Sequence, residues 1–165
     1  MLTKLYIQNY AIINELEIDF SDKLNIITGE TGAGKSILMG ALSLILGERA
    51  DSSVLQQKEK KAVVEGSFKA INKKAISDFL KENDLDAEDM LMIRREIAAN
   101  GKSRAFINDT PVNLNQLKAL SVLLVDLHQQ FDTQELNSSD FQQEVLDALA
   151  GNIEQLQQYR QVFHQ

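Results

Sequence analysis

From residue 15 to residue 20 the chain reads Glu-Leu-Glu-Ile-Asp-Phe. This strict alternation puts Leu16, Ile18 and Phe20 on one face, the pattern of a half-solvated strand with an antiparallel neighbour. Residues 2–7 predict a short strand before it, with a break at Asn9-Tyr10-Ala11, and Ser21-Asp22-Lys23 predicts a turn after it. An apolar run at 24–28 reads as a strand feeding a glycine-rich loop. Residues 36–46 follow as a helix, apolar on nearly all sides and hence buried, with Gly47 placed to end it in a left-handed conformation. Residues 51–61 are polar and predict a loop.

Further along, strands are expected at 62–68, 90–97 and 104–107, with a helix at 73–83. Asn100-Gly101 separates the last two strands and is a strong hairpin signal, because both residues tolerate positive φ. Pro111, the single proline, is expected in a turn. Asn113 with Gln116 resembles a capping box that opens a helix carrying Leu114, Leu117 and Leu120. Residues 122–127 then read as another apolar strand that ends in His128-Gln129-Gln130. Ser139 with Gln142 repeats the capping pattern. Apolar residues recur after it at Phe141, Val145, Leu149, Ile153, Leu156, Tyr159 and Phe163, at helical spacing, either as a terminal amphipathic helix or as the root of a coiled coil. Gly151 interrupts the series and counts against one continuous helix.

The composition narrows the class. The 165 residues include 17 Lys+Arg and 24 Asp+Glu, a net charge of −7, which argues against a broad nucleic-acid-binding surface on this chain. There is no cysteine, hence no disulfide framework and no thiolate metal site, and the two histidines are His128 and His164. The longest apolar stretch, 37–46, is about half of the ~20 residues a bilayer span needs. The first residues lack the apolar block of a signal peptide, so a cytoplasmic location is expected. Small basic clusters occur at Lys58, Lys60 and Lys61, at Lys73 and Lys74, at Arg94 and Arg95, and at Lys102 and Arg104. They read as solvated faces, with contact to DNA as the sharper reading.

The chemistry concentrates at Gly29-Glu30-Thr31-Gly32-Ala33-Gly34-Lys35-Ser36, which fits G-x-x-x-x-G-K-[ST] at every fixed position. Glycines let successive backbone N–H groups turn toward phosphate oxygens. Lys35 supplies a positive charge for the β- and γ-phosphates, and the Ser36 hydroxyl suits Mg²⁺, a hard cation that prefers oxygen. The helix that begins here adds its N-terminal partial charge, and Ile37 completes the set of candidate nucleotide-binding residues. The expected ligand is ATP with Mg²⁺. Hydrolysis also needs an acidic residue on the metal shell and a group that positions water. Residues 122–126 imitate a Walker B strand ending in Asp126, but Leu127 stands where a catalytic Glu is expected. The strand end therefore reads better as the carrier of Gln130, which could reach Mg²⁺ or the attacking water.

Several blocks in order resemble the N-terminal ATPase lobe of the RecN family, bacterial DNA-repair proteins related to SMC proteins. They are residues 5–13 (LYIQNYAII), 15–20, 28–37, 46–51 (LGERAD), 101–108 (GKSRAFIN) and 125–130 (VDLHQQ). The resemblance implies an α/β P-loop NTPase fold of the ABC/SMC head type, a mixed sheet plus an antiparallel β part. It implies that residues 1–137 form the head lobe and that 138–165 begin a coiled-coil helix. Gly29 to Ser36 would be the Walker A loop, and Gln130 the Q-loop glutamine sensing the γ-phosphate through Mg²⁺ or water. Lys35 and Gln130 are then the catalytic candidates, and Ser36 and Gln130 the metal ligands. Tyr10 stands where relatives usually carry Phe, and Glu48 where a second Gly is common. Neither an L-S-G-G-type signature nor a strand ending in Asp-Glu occurs, so the lobe alone is expected to bind ATP without hydrolysing it. Implied partners are its own C-terminal half, a second head in an ATP-dependent dimer, and DNA through the full-length protein, at the nucleoid, in double-strand-break repair and recombination. A P-loop small-molecule kinase and a non-hydrolysing, nucleotide-gated assembly module are the alternative readings.

Overall fold

The computed structural model describes residues 1–29, 34–50, 52–69, 73–125, 139–152, 155–156, 159 and 163. The chain divides into two compact units, Met1–Asp126 and Leu127–Gln165.

The first unit is built on a six-stranded sheet of β1 (Leu2–Tyr10), β2 (Ile13–Asp19), β3 (Ala62–Lys69), β4 (Met90–Ile97), β5 (Ser103–Ile107) and β6 (Thr110–Val112). The order is β2-β1-β3-β4-β5-β6, and every pairing is antiparallel. Alternation sends one set of side chains into the core: Leu5 and Ile7 of β1, Val64 and Phe68 of β3, Leu91, Ile93 and Ile97 of β4, Ile107 of β5. Three helices supply the opposing layer. They are α1 (Gly34–Ile45) through Ala41, Leu44 and Ile45, α2 (Lys73–Glu82) through Ile76 and Leu80, and α3 (Leu114–Leu124) through Leu117 and Leu120.

Local chemistry set several boundaries as the chain pattern predicts. Gly47 takes φ +100 after α1, with Glu48 N–H bonded to Ser43 O at 2.9 Å and Gly47 N–H to Leu44 O at 3.2 Å, a complete Schellman closure. Gly101 takes φ +78 in the β4–β5 turn, where Ala98 N–H reaches Lys102 O at 2.8 Å. At α3, Asn113 Oδ1 accepts from Gln116 N–H at 2.9 Å while Gln116 Oε1 accepts from Asn113 N–H at 3.0 Å, both halves of the capping box.

Three elements differ from expectation. Residues 24–28 form no strand, and Leu24 (80%) and Ile26 (75%) are exposed. A strand needs a hydrogen-bonded neighbour, and this run pairs with none of the six strands among the described residues. Residues 122–124 are the last turn of α3 rather than a strand; a short apolar run has no period that separates the two states. Pro111 lies within β6, opposite Phe106, rather than in a turn. An edge strand tolerates its missing N–H, and the turn is made instead by Asn108 and Asp109 at φ +45 and +65.

At Gly66 of β3 the α1 side chain Ile45 packs directly on the sheet. A Cβ there would lie 2.5 Å from Ile45 Cδ1 and 2.9 Å from Phe68 Cε2, two fully buried side chains. Gly66→Val is therefore expected to destabilise the unit by about 2–3 kcal/mol through overpacking, read as a lowered midpoint in urea.

In the second unit, α4 (Ser139–Ala150) stops at Gly151, whose φ is +71, and Asn152 N–H closes onto Asp147 O at 2.9 Å. Helical geometry resumes after Asn152, whose carbonyl accepts from Leu156 N–H at 2.9 Å, and Tyr159 stacks on Phe163 with centroids 5.8 Å apart. Val145, Leu146 and Leu149 are exposed on α4 and Leu156, Tyr159 and Phe163 are helical, while Ile153 lies outside the described residues. The Ser139 side chain lies outside the described residues.

Candidate phosphate-binding site

Of the predicted loop, Gly29, Gly34, Lys35, Ser36 and Ile37 are described; Glu30, Thr31, Gly32 and Ala33 lie outside the described residues, as do Asp126 and Gln130. Gly34 opens α1, so Lys35 and Ser36 stand in its first turn, exposed and with no acidic neighbour in that turn. Lys35 Nζ donates to Gly29 O at 2.5 Å, which brings the ammonium back to the first residue of the loop. A Cβ at Gly29 or Gly34 would meet no described residue within 4 Å. Among the described residues, packing therefore does not demand glycine at these two positions. Glycine keeps the backbone N–H groups at the head of α1 approachable, which is what a phosphate group needs. The residues present fit a triphosphate tail: amides at a helix N-terminus, one exposed ammonium and one exposed hydroxyl. Among the described residues no three His, Asp or Glu are gathered that could hold a metal ion by themselves. Among the described residues, Ser36 is the side chain that would hold Mg²⁺ together with phosphate oxygens.

The other end of α1 is fixed by buried side chains of β4 and α3. Arg95 of β4 is buried, with Nη1 donating to Leu44 O at 3.2 Å and Glu48 O at 3.1 Å and Nη2 to Ser103 Oγ at 2.5 Å. Its Nε has no hydrogen-bond partner, and burial pushes the guanidinium pKa down from its ordinary value. A cation at the last carbonyls of a helix also complements the helix dipole. Ser121 of α3 reaches Leu46 O at 3.0 Å. Midway along α1, Gly40 lies against the Tyr10 hydroxyl, which a Cβ would approach to 2.8 Å. Burial raises the Tyr10 pKa, so the phenol stays neutral.

Arg95 is the residue that sequence reasoning misplaced, since it was grouped with Arg94 as a solvated basic pair. The two lie on opposite faces of β4. Arg94 sits over the Phe106 ring, 4.6 Å from its centroid, and pairs with Asp109 at 2.9 Å. The signal was present in the alternation Leu91, Ile93, Arg95, Ile97, every one of which is buried. Lys61 of the first basic cluster pairs with Glu96 at 2.9 Å.

A glycine-rich sequence leading into a helix that packs one side on an antiparallel sheet is the arrangement of a P-loop ATPase head lobe, and the sequence profile described as AAA domain matches residues 4–165. The chain belongs to that family. Its resemblance to RecN is borne out by curated relatives. It is 41% identical over 163 residues to the DNA repair protein RecN of Vibrio cholerae, covering 99% of this chain and 29% of that protein. It is 37% identical over 164 residues to the RecN of Haemophilus influenzae, covering 98% and 29%. The chain therefore spans under a third of the length of these relatives. Among solved structures, an SMC ATPase from work on ATP-driven dimerisation and DNA-stimulated activation superposes with a TM-score of 0.60 at 19% identity, covering 88% of this chain and 96% of that one, which shows the shared fold. No helix among the described residues is long and apolar enough to cross a membrane.

Proposed function

We propose that this chain is the nucleotide-binding lobe of a RecN-type ATPase that uses ATP in DNA double-strand-break repair and recombination. The observation that carries the reading is the loop at the head of α1, with Lys35 folded back to Gly29 O at 2.5 Å and Ser36 exposed beside it. In this reading backbone N–H groups from Gly29 to Ser36 bind the phosphates. Lys35 bridges the β- and γ-phosphates, and Ile37 follows as part of the same binding segment. Ser36 holds Mg²⁺, which when bound neutralises charge on the phosphate oxygens. Gln130 orients water or completes the metal shell.

Catalysis is assigned to the complete protein, in which this lobe meets its own C-terminal half and a second head, engages DNA, and works at the nucleoid in the cytoplasm. Support for the first contact comes from Leu24 and Ile26, exposed at 80% and 75%, a strand-like apolar run at the entrance to the phosphate loop. Exposed apolar runs of this kind mark surfaces that another segment covers. Residues 138–165 lead into the coiled-coil arm, with a break at Gly151. The basic residues Lys58, Lys60, Lys102 and Arg104 remain candidates for phosphate contacts with DNA.

Steady-state turnover tests the reading. Residues 1–165 alone are expected to bind Mg-ATP without hydrolysing it, and the full-length protein to hydrolyse it with DNA present. Phosphoryl transfer to a small-molecule acceptor, or turnover by the isolated lobe, would overturn the assignment.

A further inference from the structure

A glycine inside a helix is destabilising relative to alanine, so Gly40, in the middle of α1, calls for a packing reason. The reason is Tyr10, whose hydroxyl a Cβ at Gly40 would approach to 2.8 Å. Tyr10 is buried at the end of β1, and its main chain is held from both sides. Asn9 Oδ1 accepts from Gln57 N–H at 2.6 Å and Asn9 Nδ2 donates to Lys60 O at 2.9 Å, while Ala11 N–H donates to Val54 O at 2.6 Å. An unbroken alternation from Leu5 and Ile7 would turn Asn9 toward the helix layer; with Asn9 at φ +53, it is Tyr10 that meets α1. The phenol is thus a fixed post under the helix. Ser36 lies four residues before Gly40, on the same face of α1 and one turn nearer its head.

We propose that Tyr10 is a positioning residue for nucleotide binding, its hydroxyl setting the height of α1 over β1 and so the placement of Lys35 and Ser36. The inference rests on the function proposed above, in which those two residues hold the phosphates and Mg²⁺. Near its other end α1 is held where Ile45 packs on Gly66 and where Arg95 donates to Leu44 O at 3.2 Å and Glu48 O at 3.1 Å. Two supports fix the tilt of a rod. With Ile45 as pivot, Gly40 stands about 7.5 Å away along the axis and Lys35 about 15 Å, so a displacement at Gly40 is roughly doubled at Lys35. Relaxing the contact of an added Cβ from 2.8 Å to an ordinary 3.4 Å lifts Gly40 by about 0.6 Å and the head of the helix by about 1.2 Å. A misplacement near ~1 Å is costly at a site that must fit phosphate oxygens. Tyr10 Cζ lies 3.9 Å from the same Cβ position, so loss of the hydroxyl makes room for a methyl group there.

The test uses full-length protein with Tyr10→Phe, Gly40→Ala and the two combined. Mg-ATP affinity is measured by calorimetry and kcat with DNA present, at a temperature where the variants are folded. Gly40→Ala is expected to weaken Kd about tenfold and to lower kcat by a similar factor. Tyr10→Phe should weaken Kd about threefold, as α1 settles toward the space the hydroxyl leaves. The combined variant should return Kd and kcat to within about twofold of the wild type. Wild-type Kd and kcat in folded Gly40→Ala, or no recovery in the combined variant, would overturn the role. Should Gly40→Ala not fold, Tyr10→Phe decides, and an unchanged Kd in that variant sinks the inference. If wild-type protein itself failed to bind Mg-ATP, the phosphate-site reading would fall first and this inference with it.

Discussion

Lys35→Ala is expected to weaken Mg-ATP binding by at least ~100-fold, close to 3 kcal/mol, the scale of charge-assisted hydrogen bonds lost at a phosphate. The side chain is exposed in the first turn of α1 and contributes nothing to the buried core formed by Ala41, Leu44 and Ile45. The melting temperature without nucleotide should therefore stay near that of the wild type. The rise in melting temperature that saturating Mg-ATP gives the wild type should disappear, because ligand stabilisation scales with the logarithm of occupancy. Lys35→Arg should not restore it, since a planar, wider guanidinium does not replace a compact ammonium against a triphosphate. Calorimetry of the Ala variant is the deciding measurement. Unchanged affinity would mean that the loop is not where the triphosphate sits.

How far the chain alone carries such a prediction differs between elements, for physical reasons. The start of α1, with Lys35 and Ser36 in its first turn, is legible because its cue is local: a glycine spacing ahead of an apolar run needs no distant partner to be recognised. The Schellman end at Gly47, the Asn100-Gly101 hairpin and the Asn113–Gln116 box are legible for the same reason, each being a bond pattern closed within a few residues. Residues 24–28 failed as a strand because strand formation depends on a neighbour that local pattern cannot supply. Residues 122–124 failed because α3 carries its own apolar stripe into them; Val122 stays exposed at 79% on the far side of the helix while Leu120 is buried. The supports of α1 were hidden for a third reason. Arg95 and Ser121 act on carbonyls from Leu44 to Glu48, about fifty and seventy-five residues away in sequence, and their residue types suggest a surface rather than a core.

Arg95 is where the largest loss of stability is expected, and two substitutions separate its contributions. Arg95→Ala removes a fully buried stem and all three guanidinium bonds, and should cost about 4 kcal/mol, the range of large-to-small core substitutions. Arg95→Met keeps most of the stem but leaves Glu48 O and Ser103 Oγ without the partners that Arg95 gives them. Leu44 O is better placed, since it also accepts from Gly47 N–H at 3.2 Å. Against this loss stands a gain, because a neutral side chain no longer has to be desolvated as a cation, and exchange of buried charges for apolar groups is often neutral or stabilising. The Arg95 cation has carbonyls and a hydroxyl around it and no carboxylate among the described residues, so its bonds offset desolvation only in part. The Met variant should accordingly lose about 1–2 kcal/mol, well short of the Ala variant. Urea unfolding of the two, compared at equal m-value, measures the difference. A Met variant as stable as the wild type would show that the guanidinium adds no net stability and that packing of its stem alone holds the end of α1 against β4.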